Sequence, residues 1–133
     1  MTPVVLSVGL DRLCLDVLAQ IIDEYSEPFT VVTCSDARAA RKWLGDGGDA
    51  PLLIIAAFHE HEAWGLSALF TRVRSRATGN TTELVLVSEL PVVALPVLIT
   101  DVSGLHAVLS GSASELRHRL DLIFISWLAT STG

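Results

Sequence analysis

The chain has 133 residues, half of them apolar, with 9 Lys and Arg against 15 Asp and Glu and a formal net charge of −6. That length is enough for one domain with a full core, and residues 1-133 read as a single domain. The acidic balance argues against a phosphate-tracking nucleic-acid surface, and a mean hydropathy of +0.52 comes without an apolar run of the roughly 18 residues that a membrane span needs.

Val4 to Val8 is a β-rich run without polar alternation, as expected for a strand covered on both faces. Asp11 then caps a helix whose apolar positions, Cys14, Leu18, Ile21, Ile22 and Tyr25, recur at helical spacing. Phe29 to Thr33 gives a second strand. Ser35 or Asp36 caps the next helix, with Ala40, Trp43 and Leu44 inward and Gly45 as its stop. The turn Gly45-Asp46-Gly47-Gly48-Asp49 is glycine-rich, but it follows a helix and not a strand, so it does not read as a phosphate cradle.

Leu52 to Ala56 makes the third strand, and Trp64-Gly65-Leu66 opens a helix with Leu66, Leu69, Phe70 and Val73 on one side. Gly79-Asn80 turns the chain into a fourth buried strand, Leu84 to Val87. Pro91 suits a helix start whereas Pro96 breaks a helix interior, which predicts a short, irregular helix between about 91 and 100. Ala107 to Leu109 is a last, short strand. Ser112-Ala113-Ser114-Glu115 has the form of a capping box and opens a terminal helix to about Leu128. Five strands alternating with five helices predict a parallel sheet covered on both faces.

Finer spacing supports a resemblance. Leu10-Asp11-Arg12-Leu13 with Leu15, Val17 and Leu18 is similar to the first loop and helix of NarL/LuxR-type response regulators. Val87-Ser88-Glu89 resembles their fourth strand with its terminal hydroxyl residue. Gly104-Leu105-His106-Ala107-Val108-Leu109-Ser110 resembles the glycine-led run that ends at their invariant lysine. The resemblance covers nearly the whole chain and implies a doubly wound, flavodoxin/CheY-like α/β fold, a five-stranded parallel sheet of order 2-1-3-4-5.

The resemblance also locates positions whose chemistry has been lost. A receiver holds magnesium with an acidic pair after the first strand, because magnesium takes oxygen ligands in an octahedron. Here those positions fall on Gly9 and Leu10, and only the adjoining Asp11 is acidic. The phosphoacceptor position holds Ala57, whose methyl group accepts no phosphoryl group. Ser110 stands where the lysine is expected, and only Ser88 keeps its side-chain type. No Asp or Glu lies between Asp49 and Glu60, so a shift of two residues in the third strand does not restore an acceptor. Phosphoryl transfer depends on positioned metal and charge stabilisation, and phosphorylation at the usual site is not expected. The chain reads as a degenerate, or pseudo-, receiver.

Other chemistries find little support. His59-Glu60-His61-Glu62 sits beside the crevice where doubly wound sheets bind ligands, yet no third or fourth metal ligand is evident, and a solvated polar loop is the preferred reading. Ser7, Ser88, Ser110 and Ser112 lack a base and a nucleophile elbow. Cys14 and Cys34 lack metal or CxxC spacing and read as buried, reduced thiols. The arginines Arg72, Arg74 and Arg76, and Arg117 with Arg119, read as solvated helix faces. No enzyme activity, cofactor or metal is expected.

The outer faces suggest a partner. On the terminal helix Leu116, Leu120, Ile123, Phe124, Trp127 and Leu128 form a stripe for the sheet, while Leu122, Ile125 and Ala129 extend the apolar surface sideways. Pro91 to Ile99 carries no charge. Pro91, Leu95, Leu98, Leu122, Ile125 and Trp127 are therefore the expected interaction surface, for a homodimer or a regulator partner. Met1-Thr2-Pro3 lacks the basic start of a signal peptide, so a cytoplasmic location is expected. NarL/LuxR-type proteins carry a helix-turn-helix domain after the receiver; these residues leave open whether one follows. A second reading is a small-molecule sensor, using a neutral, roomy crevice at Gly9, Leu10, Ala57 and Ser88.

Overall fold

The computed structural model describes residues 3–25, 29–45, 50–75 and 82–131. Five strands form one parallel sheet in the order β2-β1-β3-β4-β5. They are β1 (Val4–Val8), β2 (Thr30–Cys34), β3 (Leu53–Ala57), β4 (Glu83–Ser88) and β5 (Leu105–Leu109). The helices between and after them are α1 (Arg12–Asp23), α2 (Ala37–Gly45), α3 (Ala63–Ser75), α4 (Val97–Thr100) and α5 (Ala113–Ser131). This is the doubly wound arrangement expected from the alternation of strands and helices.

Strand alternation sorts the core into two layers. Leu6, Val8, Ile54, Ala56, Leu84 and Leu86 face α2, α3 and α4, where Leu66, Leu69, Phe70 and Ile99 meet them. Their sequence neighbours Val5, Leu53, Ile55, Val85 and Val87 face α1 and α5. Side chains with a period of two on a sheet covered from both sides leave no polar face, which is why the central strands read as unbroken apolar runs. Each fully buried Leu, Ile or Phe among them contributes on the order of 2 kcal/mol relative to its exposed state.

The strand ends are set by pairing. Thr30 N–H donates to Pro3 O at 2.9 Å and Gly9 N–H donates to Cys34 O at 2.9 Å, so β2 runs Thr30–Cys34, one residue beyond the apolar run in the sequence. Asp36 is the residue that caps α2, its Oδ1 accepting from Ala39 N–H at 2.8 Å. The capping box at α5 is half made. Ser112 Oγ accepts from Glu115 N–H at 3.4 Å, while Ser112 N–H is spent on Leu109 O at 3.1 Å. With no breaker after Leu128, α5 continues to Ser131.

The region after β4 is irregular for the reason its two prolines give. A 3-10 turn over Val92–Ala94 is followed by Leu95 in extended conformation (ψ 147°) and by Pro96 (φ −58°), which starts α4. Proline disfavours helical backbone in the residue before it. Leu95 is thereby turned inward and is 6% exposed, so it belongs to the core beside α2 and α3 and not to an outer surface. The glycine-rich stretch after Gly45, the turn at Gly79-Asn80 and Arg76 lie outside the described residues.

At the opposite end of the sheet from the crevice, Arg74 ties three segments together. It donates from Nη1 to Thr82 O at 2.7 Å and from Nε to Ser103 O at 2.9 Å. Gly104, at φ +73°, lets the chain turn against this guanidinium; a Cβ there would lie 3.2 Å from Arg74 Nη2.

Candidate functional site at the strand ends

A parallel sheet delivers its strand ends to one edge, and the order reverses between β1 and β3, which opens a crevice there. It has a volume of about 370 Å3 and is lined by residues that follow β1, β3, β4 and β5. Gly9, Ala57, Ser88 and Ser110 all border it. Leu10 does not; it packs against the core layer of α1 and α5.

Ala57 is the last residue of β3 and pairs with Val87. Gly9 turns the chain out of β1 at φ +63°, a conformation that glycine adopts without cost. Asp11 caps α1, its Oδ1 accepting from Cys14 N–H at 2.9 Å, and also lines the crevice. Ser88 is buried; its Oγ accepts from Leu90 N–H at 2.9 Å. Ser110 N–H donates to Ser88 O at 2.8 Å, which holds the ends of β4 and β5 together.

The loop after β3 closes one wall. His59 Nε2 lies 3.4 Å from Gly9 O, and the His59 and His61 rings stack at 5.8 Å with planes 28° apart. Glu62 points elsewhere, its Oε1 accepting from Ala37 N–H at 3.3 Å. Among the described residues, no three His, Cys, Asp or Glu side chains are grouped closely enough to hold a metal ion.

The crevice is not neutral. Asp11, Glu60 and Glu89 line it beside His59 and His61, and among the described residues no Lys or Arg does. A phosphate entering it would meet three carboxylates without a permanent cation to offset them. Cys14, which also lines the crevice, has its thiol pushed up to about 11 by burial and then by the neighbouring Asp11, so it stays protonated and weakly nucleophilic near neutrality. Burial also raises Cys34, with Asp36 adding to the effect.

Glu60 was expected beside the crevice with His59 and His61; Glu89, Phe58 and Cys14 were not expected in it. The signal for Glu89 and Phe58 in the sequence was positional: each directly follows a strand's C-terminal end, where a parallel sheet gathers its loops.

The outer apolar residues divide into two groups. Pro91, Val92, Val93 and Val97 are exposed, Val93 at 93%, as are Leu122 and Ile125 on α5. Leu98 is half-buried against the α2–α3 core, and its carbonyl oxygen accepts from Ser67 Oγ at 3.3 Å. Trp127 is also half-buried, its ring 5.5 Å from that of Phe29.

No protein-family model matches the chain, and no curated protein sequence matches it. Solved structures do. The phosphorylated cyanobacterial phytochrome response regulator RcpA is similar at a TM-score of 0.73 and 16% identity, over 98% of this chain and 96% of that one. A response regulator from Thermotoga maritima is similar at 0.68 and 17% identity, over 92% and 98%. The signal receiver domain of an HD domain-containing protein from Pseudomonas fluorescens Pf-5 is similar at 0.67 and 18% identity, over 97% and 99%.

The chain therefore has the flavodoxin/CheY-like fold of response-regulator receiver domains, with the strand order 2-1-3-4-5. At these identities the likeness defines the fold, and function has to be argued from the site.

Proposed function

We propose that this chain is a receiver-like signalling or transcription-regulatory module, of the NarL/LuxR-like kind its sequence resembles, which acts in the cytoplasm without phosphorylation and without catalysis. It works through contact with a protein, either a second copy or a regulator partner. The observation that carries this reading is Ala57 at the end of β3, on a crevice whose lining holds no Lys or Arg. Ala57 offers no acceptor at the end of the strand, and among the described residues no Lys or Arg lines the crevice to stabilise a transferred phosphoryl group.

The contact surface comprises the uncharged segment of Pro91, Val92, Val93 and Val97, together with Leu122 and Ile125 of α5. Exposed apolar side chains in two such groups exceed the scattered single residues of an ordinary surface. The domain's acidic balance leaves direct nucleic-acid contact to other proteins.

The test is absolute mass by light scattering across a concentration range, with and without acetyl phosphate and magnesium. A dimer indifferent to both reagents, and lost in Leu122→Glu with Ile125→Glu, supports the reading. A monomer that dimerises only with the phosphodonor refutes it. A second reading, a small-molecule sensor, is favoured specifically by the open cavity of about 370 Å3 at the switch point of the sheet.

A further inference from the structure

We infer that the outer face formed by α2 and α3 docks a short acidic segment of a partner protein. The two helices hold five of the chain's nine Lys and Arg and none of its fifteen Asp and Glu. Arg74 is engaged by the carbonyl oxygens of Thr82 and Ser103. The other four, Arg38, Arg41, Lys42 and Arg72, make no ion pair among the described residues. On a chain of net charge −6, this face carries the opposite sign.

Spacing gathers the four into one stripe. Arg38, Arg41, Lys42 and Gly45 recur at intervals of three and four, so they share a side of α2. Arg72 arrives at the end of that stripe. A Cβ on Gly45 would lie 3.1 Å from its Nη2, so the missing side chain leaves room for the guanidinium. The carboxylates nearest the stripe stand at the start of α2 and are committed to its amides. Asp36 accepts from Ala39 N–H at 2.8 Å and Glu62 from Ala37 N–H at 3.3 Å. Asp46 and Asp49, which follow α2 in the sequence, lie outside the described residues.

Arg41 adds an independent sign of a missing acceptor. Its Nε is shut off from solvent and has no hydrogen-bond partner. A buried donor without an acceptor is costly, and a rotation that offers the guanidinium fork to an incoming carboxylate satisfies it bidentately. The stripe rises about 10 Å from Arg38 to Gly45, the span of about three residues of extended chain. That length suits a short acidic segment. A long polyanion such as a nucleic acid would run past it onto a surface of net negative charge. A second copy offering its own acidic surface would bind head to tail, building rings or open filaments instead of a dimer.

This face is separate from the valine segment and α5 surface proposed above, so its test is independent of whether the chain dimerises. The probe is an N-acetylated, C-amidated tetraglutamate peptide, titrated into 15N-labelled protein at about 20 mM salt, where screening is weak. Tetraglutamine, a thymidine dodecanucleotide and phosphatidylserine vesicles are the parallel titrants. Tetraglutamate is expected to move the amide signals of Arg38, Arg41, Lys42 and Arg72 saturably, with a Kd on the order of 1 mM. Tetraglutamine is expected to leave them in place. Arg38→Gln with Lys42→Gln changes two exposed side chains and is expected to weaken binding by about fivefold or more. Arg12→Gln with Arg119→Gln makes the same change in net charge elsewhere and is expected to leave the affinity within about twofold. The absence of a saturable shift, an equal response to tetraglutamine, an equal loss in the second variant, or tighter binding of the oligonucleotide or the vesicles would overturn the assignment.

Discussion

His59 Nε2 lies 3.4 Å from the carbonyl oxygen of Gly9, so the loop after β3 leans on the loop after β1 across the switch point of the sheet. Gly9 makes this approach with a backbone at φ +63°. A Cβ added there would sit 3.4 Å from Ser35 O and 3.7 Å from His59 Nε2, which is ordinary contact. Gly9→Ala is thus expected to lose stability through backbone conformation alone, by about 1–2 kcal/mol. Urea denaturation should show a lower midpoint with an unchanged slope.

Phe124 is fully buried, with its ring 5.4 Å from that of Tyr25 and 4.9 Å from that of Phe29. Tyr25 in turn donates its hydroxyl proton to Asp121 Oδ1 at 2.9 Å. Phe124→Ala opens a cavity under this cluster and is expected to cost about 3–5 kcal/mol, measured by the same denaturation.

Alkaline pH should weaken the fold in a defined direction. The Cys14 thiol is raised from its ordinary 9.0 to about 11 by burial and then Asp11. The Tyr25 phenol is raised from 10.0 to about 12 by burial and then Asp121. The folded state therefore holds these protons more tightly than the unfolded chain. Their contribution is full below the ordinary values and is lost as pH rises through about 11 and 12. The urea midpoint should fall across that range, and Cys14→Ala should flatten the first part of the fall. A midpoint that rose with alkalinity would contradict the burial of both groups.

An aspartate placed at the end of β3 is not expected to be phosphorylated. In Ala57→Asp the new carboxylate joins Asp11, Glu60 and Glu89 around a crevice without Lys or Arg. Mass spectrometry after acetyl phosphate and magnesium should find no added phosphoryl group. The like charges should lower stability by up to about 1 kcal/mol.

Periodicity revealed most of this fold before any coordinates. Val4–Val8 and the stripe from Cys14 to Ile22 sit where their spacing put them, because buried parallel strands and amphipathic helices leave strong patterns, while α1 ends at Asp23, short of Tyr25. The limits of β2 moved by a residue, since Thr30 and Cys34 are fixed by bonds to Pro3 and Gly9 that no local pattern encodes, and β5 begins at Leu105, ahead of the expected start at Ala107. Leu95 was misplaced because its inward turn depends on the backbone constraint from Pro96. That β3 ends on a residue without a carboxylate was plain from Ala57. The charge of the crevice was not, since Asp11, Glu60 and Glu89 become neighbours only when three loops meet.

Pro91 and Pro96 have a consequence for the thermodynamics of association. Each fixes one backbone torsion (φ −67° and −58°) on either side of the 3-10 turn that carries Val92 and Val93. A proline removes conformational freedom from the unbound segment in advance. A partner docking on these valines, as proposed, would meet a backbone that has little left to lose, so the entropic penalty of association would be smaller than for a glycine-rich loop of equal length.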